Sequence, residues 1–268
     1  MIFDVNAWLG VWPFRSLRDN TAQELVARMD RSNIDHAAVS LIEAVFHRYP
    51  QPANEKLAQA VEPYRDRLHP MATINPLYPG WGDDLACCHE SLGMVGVRLF
   101  PVYHDYDIAG PEACELVSEC AKRKLPVQIP HRLEDVREHH PMDQGETVDL
   151  NRVADLVSRV PEATIIVTNT RPIGYCPLWQ RDELRDHSWY VDLSLAEVTY
   201  TLHKNIDTMK DIAVLTEQGG QKHLLFGSHM PFSYAGPALV KLAVLPVDEE
   251  AREDISSRTA ARFFGVDI

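Results

Sequence analysis

Basic residues are scarce: 26 lysines and arginines stand against 39 aspartates and glutamates, a formal net charge of -13 over 268 residues. That balance disfavours a nucleic-acid backbone as partner, because phosphate binding is driven by clustered Lys and Arg. A small anion is a different matter, since a local group of arginines can oppose the global field. Cysteine is sparse as well. Cys87, Cys88, Cys114, Cys120 and Cys176 are odd in number and form no Cys-x-x-Cys or Cys/His finger spacing, so reduced thiols are expected. No run approaches the roughly 20 apolar residues that a spanning helix requires. Asp4 stands where a secretory leader would carry basic and then apolar residues. A soluble cytoplasmic protein, with neither membrane nor nucleic acid as partner, is the expectation. The chain also lacks Gly-x-Gly-x-x-Gly after its first predicted strand and Gly-x-Ser-x-Gly anywhere, which argues against a dinucleotide-binding fold and against a serine hydrolase of the α/β type. With no Gly/Ser linker, low-complexity tract or internal repeat, residues 1–268 are expected to form one domain.

What is present is alternation. Short β-rich segments are predicted at Ile2–Val5, Ala37–Leu41, His69–Ile74, Val95–Phe100, Pro126–Pro130, Thr164–Thr168, Trp189–Leu193 and His223–Gly227. Between them, apolar residues recur at helical spacing in Thr21–Arg31, Asn54–Tyr64, Pro111–Lys122, Val148–Arg159 and Ile206–Gln218, with a last helix over Glu249–Phe264. Thr21 and Glu24 have the spacing of a capping box. Parallel strands need helical crossovers, and eight such units in roughly 250 residues predict an α/β protein with a single-domain (β/α)8 TIM barrel. An open doubly wound sheet is the alternative. The longest irregular stretches, Trp8–Asn20, Pro101–Gly110 and Arg132–Thr147, all follow strand C-termini and so belong to the catalytic face of a barrel. The acidic pair Asp83-Asp84 and the acidic run Asp248-Glu249-Glu250 suit helix starts, and His139-His140 suits a solvated loop.

Five phrases carry a resemblance: Phe3-Asp4-Val5-Asn6-Ala7-Trp8-Leu9-Gly10, Gly96-Val97-Arg98-Leu99, Pro126-Val127-Gln128-Ile129-Pro130-His131, Leu225-Phe226-Gly227-Ser228-His229-Met230-Pro231-Phe232 and Ala261-Arg262-Phe263-Phe264-Gly265-Val266. In this order they resemble the amidohydrolase-related family, a group of metal-dependent decarboxylases and hydrolases together with metal-independent lactonases. The resemblance implies a barrel of the metal-dependent hydrolase type, and its relatives lead one to expect pairing into homodimers. It also implies ligand positions, and most of these are substituted. Asn6 and Trp8 stand where the family carries the two histidines of Asp-x-His-x-His, Asn169 replaces a histidine after strand six, and His229 replaces an aspartate after strand eight. Only His131 is unchanged.

Indole offers no usable lone pair and a carboxamide is a poor ligand, so two imidazoles remain as good donors, without negative charge. A site without catalytic metal is therefore the expectation. The alternative is a hydrolase or decarboxylase that depends on one divalent ion, zinc or manganese, with a third donor drawn from Glu43, His104, Asp105 or Asp192. In the metal-free case Arg98 and Arg171 grip a substrate carboxylate in bidentate fashion, with Arg132 beside them and Asn6 and Asn169 hydrogen-bonding its oxygens. Arg98 could instead pair with Asp4 or Asp192. His229 is expected as general base, His131 as acid or carbonyl-polarising donor, Tyr175 as a third member and Trp8 as a stacking wall of the pocket. These expectations describe a hydrolase acting on a small anionic substrate such as a lactone. A catalytically inactive barrel that binds a metabolite or scaffolds a partner is the remaining alternative.

Overall fold

The computed structural model describes residues 1–135, 137–194 and 208–267. Its interior is built from the strands β1 (Phe3–Leu9), β2 (His36–Leu41), β3 (Leu68–Pro70), β4 (Ala72–Thr73), β5 (Val97–Arg98), β6 (Val127–Pro130), β7 (Ile165–Thr168), β8 (Trp189–Asp192) and β9 (Leu224–Leu225). The third expected strand is split at Met71 into β3 and β4, and Met71 N–H still bonds Val39 O at 2.8 Å. Neighbours run β1-β2-β3 and β4-β5-β6-β7-β8-β9, and every pair is parallel. The ring then returns to its start. Val5 N–H bonds Phe226 O at 3.0 Å, Trp8 N–H bonds Met230 O at 2.8 Å, and Ala7 bridges Met230 in parallel. This is the expected α/β barrel.

Because each parallel neighbour is also the next in sequence, each connection must cross over outside the ring. The crossovers are α1 (Ala22–Ser32), α2 (Gln51–Val61), α3 (Trp81–Ala86), α4 (Pro111–Lys122), α5 (Leu150–Arg159), α6 (Pro177–Gln180) and α7 (Thr208–Glu217), and the last strand is followed by α8 (Gly236–Val244), α9 (Glu249–Glu253) and α10 (Thr259–Phe264). In α1, Thr21 and Glu24 form the predicted capping box, and Ala22, Leu25 and Met29 turn inward at helical spacing. Ile206 and Asp207, the predicted start of α7, lie outside the described residues. The sequence predicts no helix where α8 stands; Pro237 is tolerated in its first turn because a Pro there lacks only an N–H that would be unpaired anyway. The last expected helix is two, joined by a π-turn over Asp254–Arg258. Phe264 stacks on Phe3 at 5.3 Å and plugs the N-terminal end of the barrel. Among the described residues no helix is long and apolar enough to cross a membrane.

β1 departs most from its predicted extent. It runs on to Leu9, with all seven residues buried, and its register against β2 slips between Asp4 and Ala7. Such a bulge re-aims side chains, and Asp4, Asn6 and Trp8 end up bonded to one another inside the barrel: Asn6 N–H to Asp4 Oδ1 at 2.9 Å and Trp8 Nε1–H to Asn6 Oδ1 at 3.0 Å.

Candidate active site

At the C-terminal end of the strands a buried polar network fills the positions that the resemblance marks as ligands. Asn6 Nδ2 donates at 2.9 Å to Asn169 Oδ1 and at 2.9 Å to Asp192 Oδ2. Asp192 also accepts from Asn169 N–H at 2.8 Å and Ser194 Oγ at 2.9 Å, and Ser194 O accepts from Lys241 Nζ at 3.0 Å. Asp4 accepts from the backbone N–H and the hydroxyl of Ser228. Burial raises both carboxyls, Asp192 to about 6. Arg98, fully buried, lies with Cζ 3.9 Å from the Trp8 ring centroid and donates to Ala7 O at 3.3 Å. Burial lowers it to about 9, so it stays charged at neutral pH, favoured by Asp4 and Asp192. Two buried cations, Arg98 and Lys241, thus face two buried carboxyls.

This network corrects several expectations. Trp8 is not a pocket wall: it is fully buried, its ring covered by Arg98 and its indole N–H spent on Asn6. Arg98 has the structural alternative, beside Asp4 and Asp192, because a guanidinium this deep needs anionic company. Asn6 and Asn169 bond protein groups rather than facing a cleft. Tyr175, 58 % exposed, lies outside the network and the cleft described below. His131 is buried, with Nδ1 accepting from Arg171 N–H at 3.3 Å, and burial lowers it to about 4.

His229 is also corrected as a base. Its Nε2 lies 2.5 Å from Leu133 O, so that nitrogen carries the proton, and Nδ1 faces Asn169 Nδ2 at 3.3 Å. Burial lowers its pKa to about 3, which leaves a neutral ring with both nitrogens engaged. Both His229 and Asn169 hold positive φ, 62° and 56°, a conformation uncommon for non-glycine residues and concentrated at functional sites.

The donor set does not fit a divalent ion. Each amide and carboxyl oxygen of Asn6 and Asp192 already accepts from an N–H or O–H donor, His229 Nε2 carries a proton, and a guanidinium occupies the interior. Among the described residues no three His, Cys, Asp or Glu side chains come together as ligands. Of the suggested third donors, Glu43 pairs with Lys56 at 2.9 Å and His104 packs against Phe100.

Solvent reaches the mouth through a cleft of about 580 Å³ between the loops that follow β1, β6 and β9. Two of these loops are the irregular stretches Trp8–Asn20 and Arg132–Thr147. Of the residues expected at the site, His229 alone lines this cleft, at its floor, with Phe232 stacked 4.8 Å away. Arg132 lines a neighbouring cavity of about 320 Å³, which shares Leu133 and Glu134 as a wall. The cleft's arginines are ones the sequence reading missed: Arg15, Arg18, Arg28, Arg31 and Arg137. Arg15 Nε meets Glu134 Oε1 at 3.1 Å, and its NH2 lies 3.3 Å from Glu138 and 3.2 Å from Phe232 O. Arg15, Arg18 and Arg137 stand in loops after strand ends, which marked the face but not the side chains, while Arg28 and Arg31 stand on α1 and carried no such signal.

The amidohydrolase family profile matches residues 13–266. The chain belongs to the amidohydrolase family. No curated protein gives a sequence match. Solved structures similar to this amidohydrolase over nearly their whole length include 5-carboxyvanillate decarboxylase from Sphingomonas paucimobilis, with TM-score 0.74, 14% identity and 99% of each chain covered. The 2,6-dihydroxybenzoate decarboxylase from Rhizobium aligns at TM-score 0.72 with 16% identity over 98% of each chain. A probable 2-pyrone-4,6-dicarboxylic acid hydrolase from Acinetobacter baumannii, with citric acid bound, aligns at 0.66 with 15% identity, covering 98% of this chain and 99% of that one. At these identities the likeness is one of fold.

Proposed function

We propose that this amidohydrolase hydrolyses a small carboxylated compound, such as a lactone, without a catalytic metal, in the arginine-lined cleft at the barrel mouth. The observation that carries the reading is the cleft itself: five arginines, three from the loops after β1 and β6 and two from α1, line one opening beside the barrel mouth in a protein whose net charge is -13. Structural neighbours that act on hydroxybenzoates, or carry citric acid, support a carboxylated substrate. The already hydrogen-bonded interior donors support chemistry that needs no divalent ion.

Proton transfer passes in this reading from His229 to Glu134, which lies in the cleft wall. A water molecule attacks the substrate carbonyl, protonated Glu134 gives its proton to the departing ring oxygen, and the resulting carboxylate takes the proton that the water loses. Product leaves as a hydroxy acid and Glu134 is regenerated. Neutral His229 acts as a positioning residue, holding Leu133 O and Asn169 in place. Homodimer formation and a cytoplasmic location remain part of the proposal.

The test is turnover of a panel of carboxylated lactones by protein purified without an affinity tag, before and after chelation, with metal content measured by elemental analysis. Hydrolysis that survives chelation at far below one metal per chain supports the reading. Stoichiometric zinc or manganese, lost together with activity, overturns its metal-free part. A second reading, a barrel that binds a metabolite without converting it, is favoured by one observation: every expected proton carrier in the interior is neutral or hydrogen-bonded. A ligand that raises the melting temperature and is recovered unchanged selects it.

A further inference from the structure

The Arg15–Glu134 pair is unlike the other ion pairs of the cleft. Arg28 and Arg31 meet Asp19, and Arg137 meets Asp135, through acids that keep 33% and 10% of their side chains exposed. The Glu134 side chain is wholly buried, and its salt bridge uses one oxygen only. No well-aligned hydrogen bond reaches the other oxygen, Oε2; the buried Trp12 indole N–H lies beside it and favours the charged carboxylate without closing a full bond. A buried carboxylate oxygen without a full hydrogen bond is costly when charged and cheap when protonated.

The groups facing it come from three loops. Arg15 and Trp12 approach from the loop after β1, Asp143 and Glu138 from its own loop, and Tyr103 from the loop after β5, its hydroxyl spent on Asp143 at 3.0 Å. Arg132 and His139 border Glu134 from the neighbouring cavity, but Arg15 is the cation paired with it, and it is also the cation that a ligand anion meets, with a third of its side chain open to the cleft. An anion that takes Arg15 strips Glu134 of its counter-charge. Burial and Asp143 already push the Glu134 carboxyl above its ordinary value against the pull of Trp12 and Arg15.

We propose that anion binding in this cleft is coupled to proton uptake by Glu134. With Glu134 ionised, the lining carries five arginines against Asp19, Glu134, Asp135 and Glu138, a surplus of one positive charge. Protonation raises the surplus to two, which matches a dicarboxylate. The inference rests on the reading of this cleft as the anion site and adds the state in which it binds. It also means that the bound complex holds Glu134 as an acid, ready to protonate a leaving oxygen.

Isothermal titration of the whole protein with terephthalate, a flat dicarboxylate fully ionised at pH 7, in two buffers of different ionisation enthalpy, measures the protons taken up per anion. Expected is uptake approaching one proton and an association constant that rises up to about tenfold per unit fall in pH. In Glu134→Gln the uptake disappears and the affinity loses its pH dependence, while Arg15→Gln loses binding. Wild-type binding without proton uptake overturns the coupling and leaves the anion site standing. Equal uptake in Glu134→Gln also overturns it, by assigning the proton to another group. Failure of both wild type and Glu134→Gln to bind overturns the anion-site reading and this inference with it. The wild-type measurement decides the matter even if the variants fold poorly.

Discussion

Acidification from pH 7 to pH 5 should remove most of the stability of this barrel. Four histidines are held neutral by burial: His69, His104 and His131 near 4, and His229 near 3. In the unfolded chain each titrates near 6.5. Folded values lie below unfolded ones, so the unfolded state binds more protons throughout this window, and stability present above pH 6.5 is lost as pH falls towards 4. At pH 5 each ring costs about 2 kcal/mol, or ~8 kcal/mol for four. Asp192 works the other way. Its value of about 6 exceeds that of an unfolded aspartate, so it returns roughly 1 kcal/mol over the same range. His223 is left out of the sum, since both its nitrogens face carbonyl oxygens, Trp189 O at 2.7 Å and Arg185 O at 3.0 Å; that favours the charged ring while burial opposes it. Asp4 and Glu134, which burial also raises, offset the loss further, and His36, which burial lowers, adds to it; the loss stays on the order of 7 kcal/mol, comparable to the whole stability of a typical domain. Urea denaturation at pH 7, 6 and 5 reads the loss, and near pH 5.5 its slope should correspond to about three protons per unfolding event. His229→Asn should lower that slope by nearly one proton. Stability that is flat or rising between pH 7 and 5 would refute the reasoning.

Asn6→Ala should cost roughly 3 kcal/mol or more, since it leaves Trp8 Nε1 and Asp192 Oδ2 buried without their partner; a thermal midpoint within a degree of wild type would count against the network. Gly227→Ala should destabilise by about 1–3 kcal/mol, because an added Cβ would lie 2.2 Å from Asp192 Oδ2 and force that carboxyl off Asn6. Calorimetry checks both, and the double variant should cost less than the sum because the two changes damage one network. Thr21→Ala, by contrast, should cost only about 1 kcal/mol, the worth of an exposed helix cap.

The barrel was legible in the sequence because its causes are local. Apolar runs of strand length, helical spacing between them and the Thr21–Glu24 cap are each set by residues close in the chain, and the eight expected strands map onto β1 to β9 with one split at Met71. The positions that gather at the mouth were legible too, since residues at strand C-termini converge in any such barrel. Their roles were not. Whether Trp8 faces a pocket or lies under Arg98 depends on a bulge between Asp4 and Ala7, and no residue in that stretch announces it. Whether His229 can accept a proton depends on Leu133 and Asn169, separated from it by 96 and 60 positions.

The sequence by itself thus determined the fold class, the loops that form the catalytic face and the loss of the family's ligand types at Asn6, Trp8 and Asn169. Only the tertiary structure decided what replaced them: a closed network with Arg98 and Lys241 inside, and a separate cleft outside it where Arg15 pairs with Glu134. The division has a physical reason. Secondary structure and residue chemistry are properties of short segments, whereas burial, hydrogen-bond saturation and charge are set by distant residues meeting in space.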